Sequence, residues 1–566
     1  MKKKKLFLLT GFFLLPLLAS CGREPSSSEN PNVITNEDLS KGVTTYTDKN
    51  GETQQLNRNT LYKNAGNPHV ESHPTNGKKQ KLLVAPIKFL KDADDPKDTI
   101  NATDDLYNNI RLAFNGTKEE MGNRGFTSVS EFYEESSFGK GSFDAILLPT
   151  WVELQMTPKE FQSKSNGEGG VYASNLVRQW YIDEYAKANH GQLGAEAEPI
   201  TYFDSDGDGY IDLMWNVYAY PYDSETTSTN MFWWAYVTYT KNQANKNAPT
   251  VKTLGWASTN FMNSSCDPHT FIHETGHTLG LDDYYDYKKT WAPMAGVDYM
   301  DHNLGDHNSF SKFQLGWVNP WVLKEEDLIG GKTAEITLRT ATTSGDCLVL
   351  ASPNYNMTAF DEYFMVELVG PYGLAKNDYI NGYDGTTGFT VPGVRVLHVD
   401  ARAQQATATR LTKDFLNADE LGQNAQELRI GNSYLGRNGL SYDGDFYPIG
   451  TGKNITKRSL SEVSIMMSSG WTSGNSWMNS TSYNASNASL FTTNHTFTLT
   501  GESALAKEFM PSQSNLWNKS KIVTKGNGEN QQYTIDNNVT CNFSMRVGKI
   551  TTTEDGASVT LKITLA

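Results

Sequence analysis

The sequence predicts a mixed α/β domain over residues 81–325, followed by a β-rich, sandwich-like region over 326–566 that holds one or two sandwich modules. Three observations predict it. The apolar run Leu82-Leu83-Val84-Ala85 opens the first region as a buried strand, and segments of helical period follow it. Beyond about Trp321 the pattern changes to short apolar–polar alternations separated by turn signals. With 38% hydrophobic and 20% charged residues, the 566-residue chain can bury a large core and is neither disordered throughout nor a polytopic membrane protein.

The N-terminus begins with four consecutive lysines after Met1 and an apolar run from Leu6 to Leu18. It is too short, and too interrupted by Pro16, to span a bilayer well, so residues 1–20 read as a signal peptide. Its end, Leu18-Ala19-Ser20-Cys21-Gly22, resembles a bacterial lipobox, which makes Cys21 the lipidation site and places the protein on a membrane surface of the cell envelope, anchored or released. Cys266, Cys347 and Cys541 remain, an odd set that allows one disulfide at most, and spacing does not choose it. Residues 21–80 are polar and read as a tether; His69 and His73 within it are flanked by Pro68 and Pro74 and read as loop histidines. Lys plus Arg number 49 against 64 Asp plus Glu, a net charge of −15 that argues against nucleic acid as a partner.

In order along the body, 81–90 predicts a strand, 103–114 and 129–135 predict helices, 176–188 an amphipathic helix with Val177, Trp180, Tyr181 and Tyr185 on one face, and 211–218 a strand. In the second region 335–338, 363–368, 394–399 and 496–499 alternate as strands, and 546–552 with 558–565 flank Asp555-Gly556, a hairpin signal.

The segment from Asp267 to Asp283 carries the chemistry. Asp267 is a good N-cap and Pro268 suits a first helical position. On the helix that follows, His273 and His277 are four residues apart, so both imidazoles reach one cation from one face. Glu274 lies beside them as a general base toward water at the metal, without being a ligand itself. Gly280 can adopt the left-handed conformation that ends a helix, and the returning chain brings Asp283 to close a zinc site as third ligand. His302 and His307 are rival third ligands, and His269, one turn before His273, fits a capping or supporting role.

A second pattern, Asp204-Ser205-Asp206-Gly207-Asp208-Gly209-Tyr210-Ile211-Asp212, matches the front of an EF-hand loop. Asp204, Asp206, Asp208 and Asp212 stand at positions 1, 3, 5 and 9, with Gly209 at the turn and the Tyr210 carbonyl as a further ligand. Trp215 replaces the bidentate Glu at position 12 and a strand follows, so the expected structural calcium sits outside a helix–loop–helix hand.

The motif His273-Glu274-Thr275-Gly276-His277 with Gly280 and Asp283 resembles that of the metzincins, HExxHxxGxxH, with Asp replacing the last His. It is similar to the immune inhibitor A-like family of bacterial metallopeptidases, which also has Asp there. Ser136-Ser137-Phe138-Gly139-Lys140, Trp291-Ala292-Pro293-Met294-Ala295-Gly296 and Ser311-Lys312-Phe313-Gln314-Leu315-Gly316-Trp317 share the likeness, which covers about residues 80–320. The resemblance implies a metzincin-like catalytic domain, Met294 as the Met-turn residue with Met300 its rival, and a surface zinc endopeptidase acting on extracellular proteins or peptides. The competing expectation is a surface lipoprotein that binds glycans or host proteins through the β-rich half, with Trp471 and Trp477 as contacts and a vestigial protease domain.

Overall fold

The computed structural model describes residues 32–47, 50–57, 79–122, 126–185, 198–222, 235–262, 266–285, 294–380, 388–401, 463–466, 485–499 and 541–566. Between these it gives the backbone of short strands within 403–459 and 521–536. The architecture is mixed α/β with several sheets and a β-rich second half.

In the first half, Gln80–Phe89 forms a long strand at the middle of a six-stranded sheet, pairing in parallel with Leu213–Tyr218 on one side and with Phe143–Leu147 and Val152–Leu154 on the other. Thr253–Ser258 continues the sheet in parallel, and Tyr236–Tyr239 closes that edge antiparallel. The near-continuous apolar run of 82–87 has a direct cause, because the sheet is covered on both faces. Leu82 and Val84 pack with Ile110, Phe114, Phe132 and Phe271 on one face, while Leu83, Ala85 and Ile87 pack with Ala173, Val177 and Tyr181 on the other. The helix Asp104–Asn115 starts where Thr103 accepts from the Leu106 amide, and Val129–Ser136 starts where Ser128 accepts from Glu131. Gly169–Trp180 begins earlier than expected and continues as a π-turn through Tyr181–Tyr185.

In the second half two six-stranded sheets form a sandwich. The inner sheet holds Cys347–Ala351, Glu362–Val369 and Gly393–Asp400, all buried along their whole length. Neighbouring residues face opposite layers: Tyr363 meets Phe313 of the helix Ser309–Gln314, and Phe364 meets Phe497 of the outer sheet. Charged residues in these strands are buried in pairs, Glu362 with His398 at 2.9 Å and Glu367 with Arg395 at 2.7 Å. The outer sheet buries one face only; Ala334, Ile336 and Leu338 point inward between exposed Glu335, Thr337 and Arg339. Its strand Thr333–Arg339 pairs antiparallel with Ala557–Leu565, so the two ends of the region close one sandwich rather than two successive modules among the described strands. The expected hairpin around Asp555-Gly556 is present, with Thr551 and Thr552 paired to Ser558 and Ala557.

Contacts cross two of the expected domain boundaries. Among the described residues one apolar cluster holds side chains from both sides of 325/326, and Trp321–Leu323 already belongs to the inner sheet. The expected tether of 21–80 is in part structural. Val33–Ile34 pairs with Thr333 and Ala334, and Ser40–Lys41 pairs with Trp321 and Val322. Asn36 exchanges two side-chain hydrogen bonds with the Thr337 backbone, Lys41 sits over the Trp321 ring at 3.3 Å, and Leu56 is buried. Short edge strands are held by backbone bonds and a few apolar anchors, which polar composition does not reveal.

Candidate metal centre

The helix His269–Thr278 lies against the first sheet. Trp215 Nε1 donates to Thr275 Oγ1 at 3.1 Å, and the Tyr133 hydroxyl donates to the Ile272 carbonyl at 2.7 Å. Its start differs by one residue from expectation: Pro268 is the N-cap, and Asp267 Oδ1 accepts from the His269 amide at 2.8 Å in an Asx turn. Its end matches. Gly280 has φ of +94°, and the Leu281 and Gly280 amides return to the carbonyls of Gly276 and His277, the Schellman arrangement that reverses the chain.

That reversal brings Asp283 to the two histidines. Its Oδ1 lies 2.9 Å from His273 Nε2 and 3.3 Å from His277 Nε2, and the three side chains form one cluster of potential ligand atoms. The imidazoles stand edge to face with centroids 4.9 Å apart. Each has its other nitrogen engaged: His273 Nδ1 faces the Tyr299 carbonyl at 2.9 Å, and His277 Nδ1 faces the Leu281 carbonyl at 2.8 Å. Since a carbonyl only accepts, both rings carry a proton on Nδ1, which turns both Nε2 atoms toward Asp283 and leaves Nε2 as the nitrogen that could take an ion once it gives up its proton. The donor set fits zinc, which takes imidazole nitrogen and carboxylate oxygen at similar distances.

The electrostatics are those of a buried carboxylate shared by two imidazoles. Burial alone would lower His277, but the Asp283 carboxylate outweighs it and raises the group to about 10; His273 is raised in the same way. Burial would raise Asp283, yet the two imidazoles hold it well below the usual carboxylate range. His269 goes the other way, lowered to about 3 by burial and by the neighbouring His273 and His302. It is a neutral buried ring beside the centre, outside the cluster.

Glu274 is half-buried and its charge acts on both imidazoles, but it is not in the ligand cluster. Asp282 is buried and also outside it. Neither rival third ligand joins: His302 Nδ1 pairs with Asp301 at 3.3 Å, and His307 is enclosed by Phe132, Tyr133, Tyr299 and Trp317, 3.9 Å from Asp298. Met294 is wholly buried in a turn. Met300 lies against the motif helix, its Sδ 2.6 Å from where a Cβ at Gly276 would be. Residue types gave no sign of the carbonyls of Tyr299 and Leu281, because every residue has one.

In the acidic loop Asp204, Asp206 and Asp208 come together. Asp212, expected as a fourth carboxylate ligand, does not. Its Oδ1 accepts from the Ser205 amide at 2.8 Å and its Oδ2 from the Lys81 amide at 2.8 Å, so it ties the loop to the central strand, and burial pushes it up to about 6. Tyr210 is paired with Thr250 in a short parallel bridge.

Cys266, Cys347 and Cys541 are buried and form no disulfide among the described residues, and the Cys266 thiol donates to Asn109 Oδ1 at 2.9 Å. Cys21, His69, His73, Trp471 and Trp477 lie outside the described residues. Among the described residues no helix is long and apolar enough to cross a membrane. Comparison with protein-family models and with curated proteins gives no match.

Proposed function

We propose that this protein is a zinc endopeptidase of metzincin type, similar to the immune inhibitor A-like family, lipid-anchored at Cys21 and acting on extracellular proteins or peptides. The observation that carries the reading is the convergence of His273 Nε2, His277 Nε2 and Asp283 Oδ1, with both Nδ1 atoms occupied by backbone carbonyls. These three residues would hold the ion and leave a fourth position open, the pattern of catalytic rather than structural zinc. When bound, zinc supplies Lewis acidity toward a carbonyl oxygen and toward water. Glu274 takes a proton at its carboxylate from the attacking water and passes it to the leaving amine. Tyr299 and Leu281 keep the imidazoles in the binding tautomer and orientation.

The same reading assigns a structural calcium to Asp204, Asp206 and Asp208, supported by three carboxylates on one tight loop and by the oxygen preference of calcium. Its role is to brace the strand that carries Trp215, and through Trp215 the motif helix.

The test is zinc analysis coupled to casein digestion, with and without a zinc chelator. Zinc-dependent hydrolysis is expected. A protein that holds zinc and cleaves nothing would favour the glycan- or protein-binding reading instead.

A further inference from the structure

Two residues beyond Asp283, Tyr285 is wedged beside the centre. Its ring lies nearly parallel to the His273 imidazole, 20° apart with centroids separated by 6.2 Å, and meets His302 edge-on at 5.9 Å. Its hydroxyl hydrogen-bonds the Asp283 carboxylate. Behind it, His302 is fixed by Asp301, whose side chain is wholly buried and accepts from the Gly296 amide at 3.0 Å. The ring therefore has a wall on each side, and its hydroxyl meets the third proposed ligand.

The two histidines are each locked by a backbone carbonyl, but a carboxylate needs a donor instead. An unrestrained Asp can rotate about its side-chain bonds and exchange one oxygen for the other, which weakens a monodentate site. A hydroxyl donor prevents this, and a phenol suits the task because it is protonated at neutral pH and rigid. We propose that Tyr285 is a positioning residue that holds Asp283 in the ligand geometry through an O–H···O bond, and so sets the affinity and coordination geometry of the metal centre. This rests on the zinc reading above.

The experiment compares the full-length protein with Tyr285→Phe and Tyr285→Leu. Zinc affinity is measured by competition with a chromophoric chelator, and coordination geometry by the visible spectrum of the cobalt-substituted protein. Phe keeps the ring and removes only the donor, so the metal-free melting temperature should match wild type, while zinc binding weakens about 10–100-fold and the cobalt bands shift. Tyr285→Phe with wild-type affinity and wild-type bands overturns the inference. A loss confined to Tyr285→Leu also overturns it, because it places the effect in ring packing rather than in the hydroxyl. If wild type takes up neither zinc nor cobalt, the zinc reading itself has failed, a result distinct from either.

Discussion

His273 Nδ1 faces the carbonyl oxygen of Tyr299 at 2.9 Å, across 26 residues of sequence. This contact decides which nitrogen of His273 faces Asp283, and it joins the motif helix to the segment that follows Asp283, the proposed third ligand. The same segment carries Met300, whose carbonyl accepts from Tyr284 and whose sulfur lies against Gly276. The centre is thus held from two directions, by the Schellman turn and by the 299–300 backbone.

Asp283→Ala should weaken zinc binding well beyond the about 10–100-fold typical of losing an outer partner. Asp282→Ala and His307→Ala should leave it close to wild type, since neither belongs to the cluster. Chelator competition on the three variants checks this. Zinc loss in Asp282→Ala or His307→Ala, with Asp283→Ala fully loaded, would contradict the assignment.

Gly280→Ala should cost about 1–2 kcal/mol, because an alanine at this left-handed φ is strained. It should also lower zinc affinity, since the turn delivers Asp283. Denaturant melts with and without chelator separate the two effects.

Asp204→Ala with Asp206→Ala should erase the calcium-dependent rise in melting temperature and leave zinc content intact. Asp212→Ala should instead lower the melting temperature with or without calcium, because its carboxylate holds the Ser205 and Lys81 amides. A calcium response unchanged in the double variant would place the site elsewhere.

Asp378 predicts a pH dependence. It is buried where the helix Asn377–Ile380 meets Gly305, which must lack a side chain because a Cβ there would lie 2.0 Å from Asp378 Oδ2. Burial pushes this carboxyl up to about 8, with Asp298 and Asp306 adding to the rise and Arg395 opposing it. A carboxyl raised in the folded state binds its proton more tightly there than in the unfolded chain. Its stabilising contribution is full below about pH 4, the unfolded value, and is lost as pH rises through 8. Asp378→Asn should therefore gain melting temperature relative to wild type as pH rises from 5 to 9. A difference that stays flat across this range would refute the assignment.

Removing residues 1–31 should release the protein from membranes with its melting temperature unchanged. Removal through 57 should destabilise it, by about 1.5–3 kcal/mol for Leu56 alone, along with the paired strands at 33–34 and 40–41. Equal melting of the two truncations would contradict a structural role for 32–57.

Much of this was legible in residue spacing. The positions of His273 and His277, the reversal at Gly280 and the apolar run 82–87 each follow from local periodicity, and the structure agrees with all three. What sequence could not supply was contact at long range. Asp212 sits at a calcium-loop spacing, yet the free amide of Lys81, brought near by sheet pairing, recruits it instead. Ile34 and Leu56 are apolar residues in a polar stretch, and the core they join, Ile34 through pairing with Ala334, is built from residues far along the chain. The close approach of Met300 to Gly276 joins residues 24 apart, and it is seen only in three dimensions.

The central claim is that a zinc site with a separate proton carrier hydrolyses peptide bonds. It is tested most directly by measuring zinc content and casein hydrolysis side by side for wild type and Glu274→Ala. The account predicts equal zinc in both proteins, with hydrolysis in the variant reduced by about 100-fold or more. Wild-type hydrolysis by Glu274→Ala, or hydrolysis by wild type that persists after zinc is removed, would contradict it.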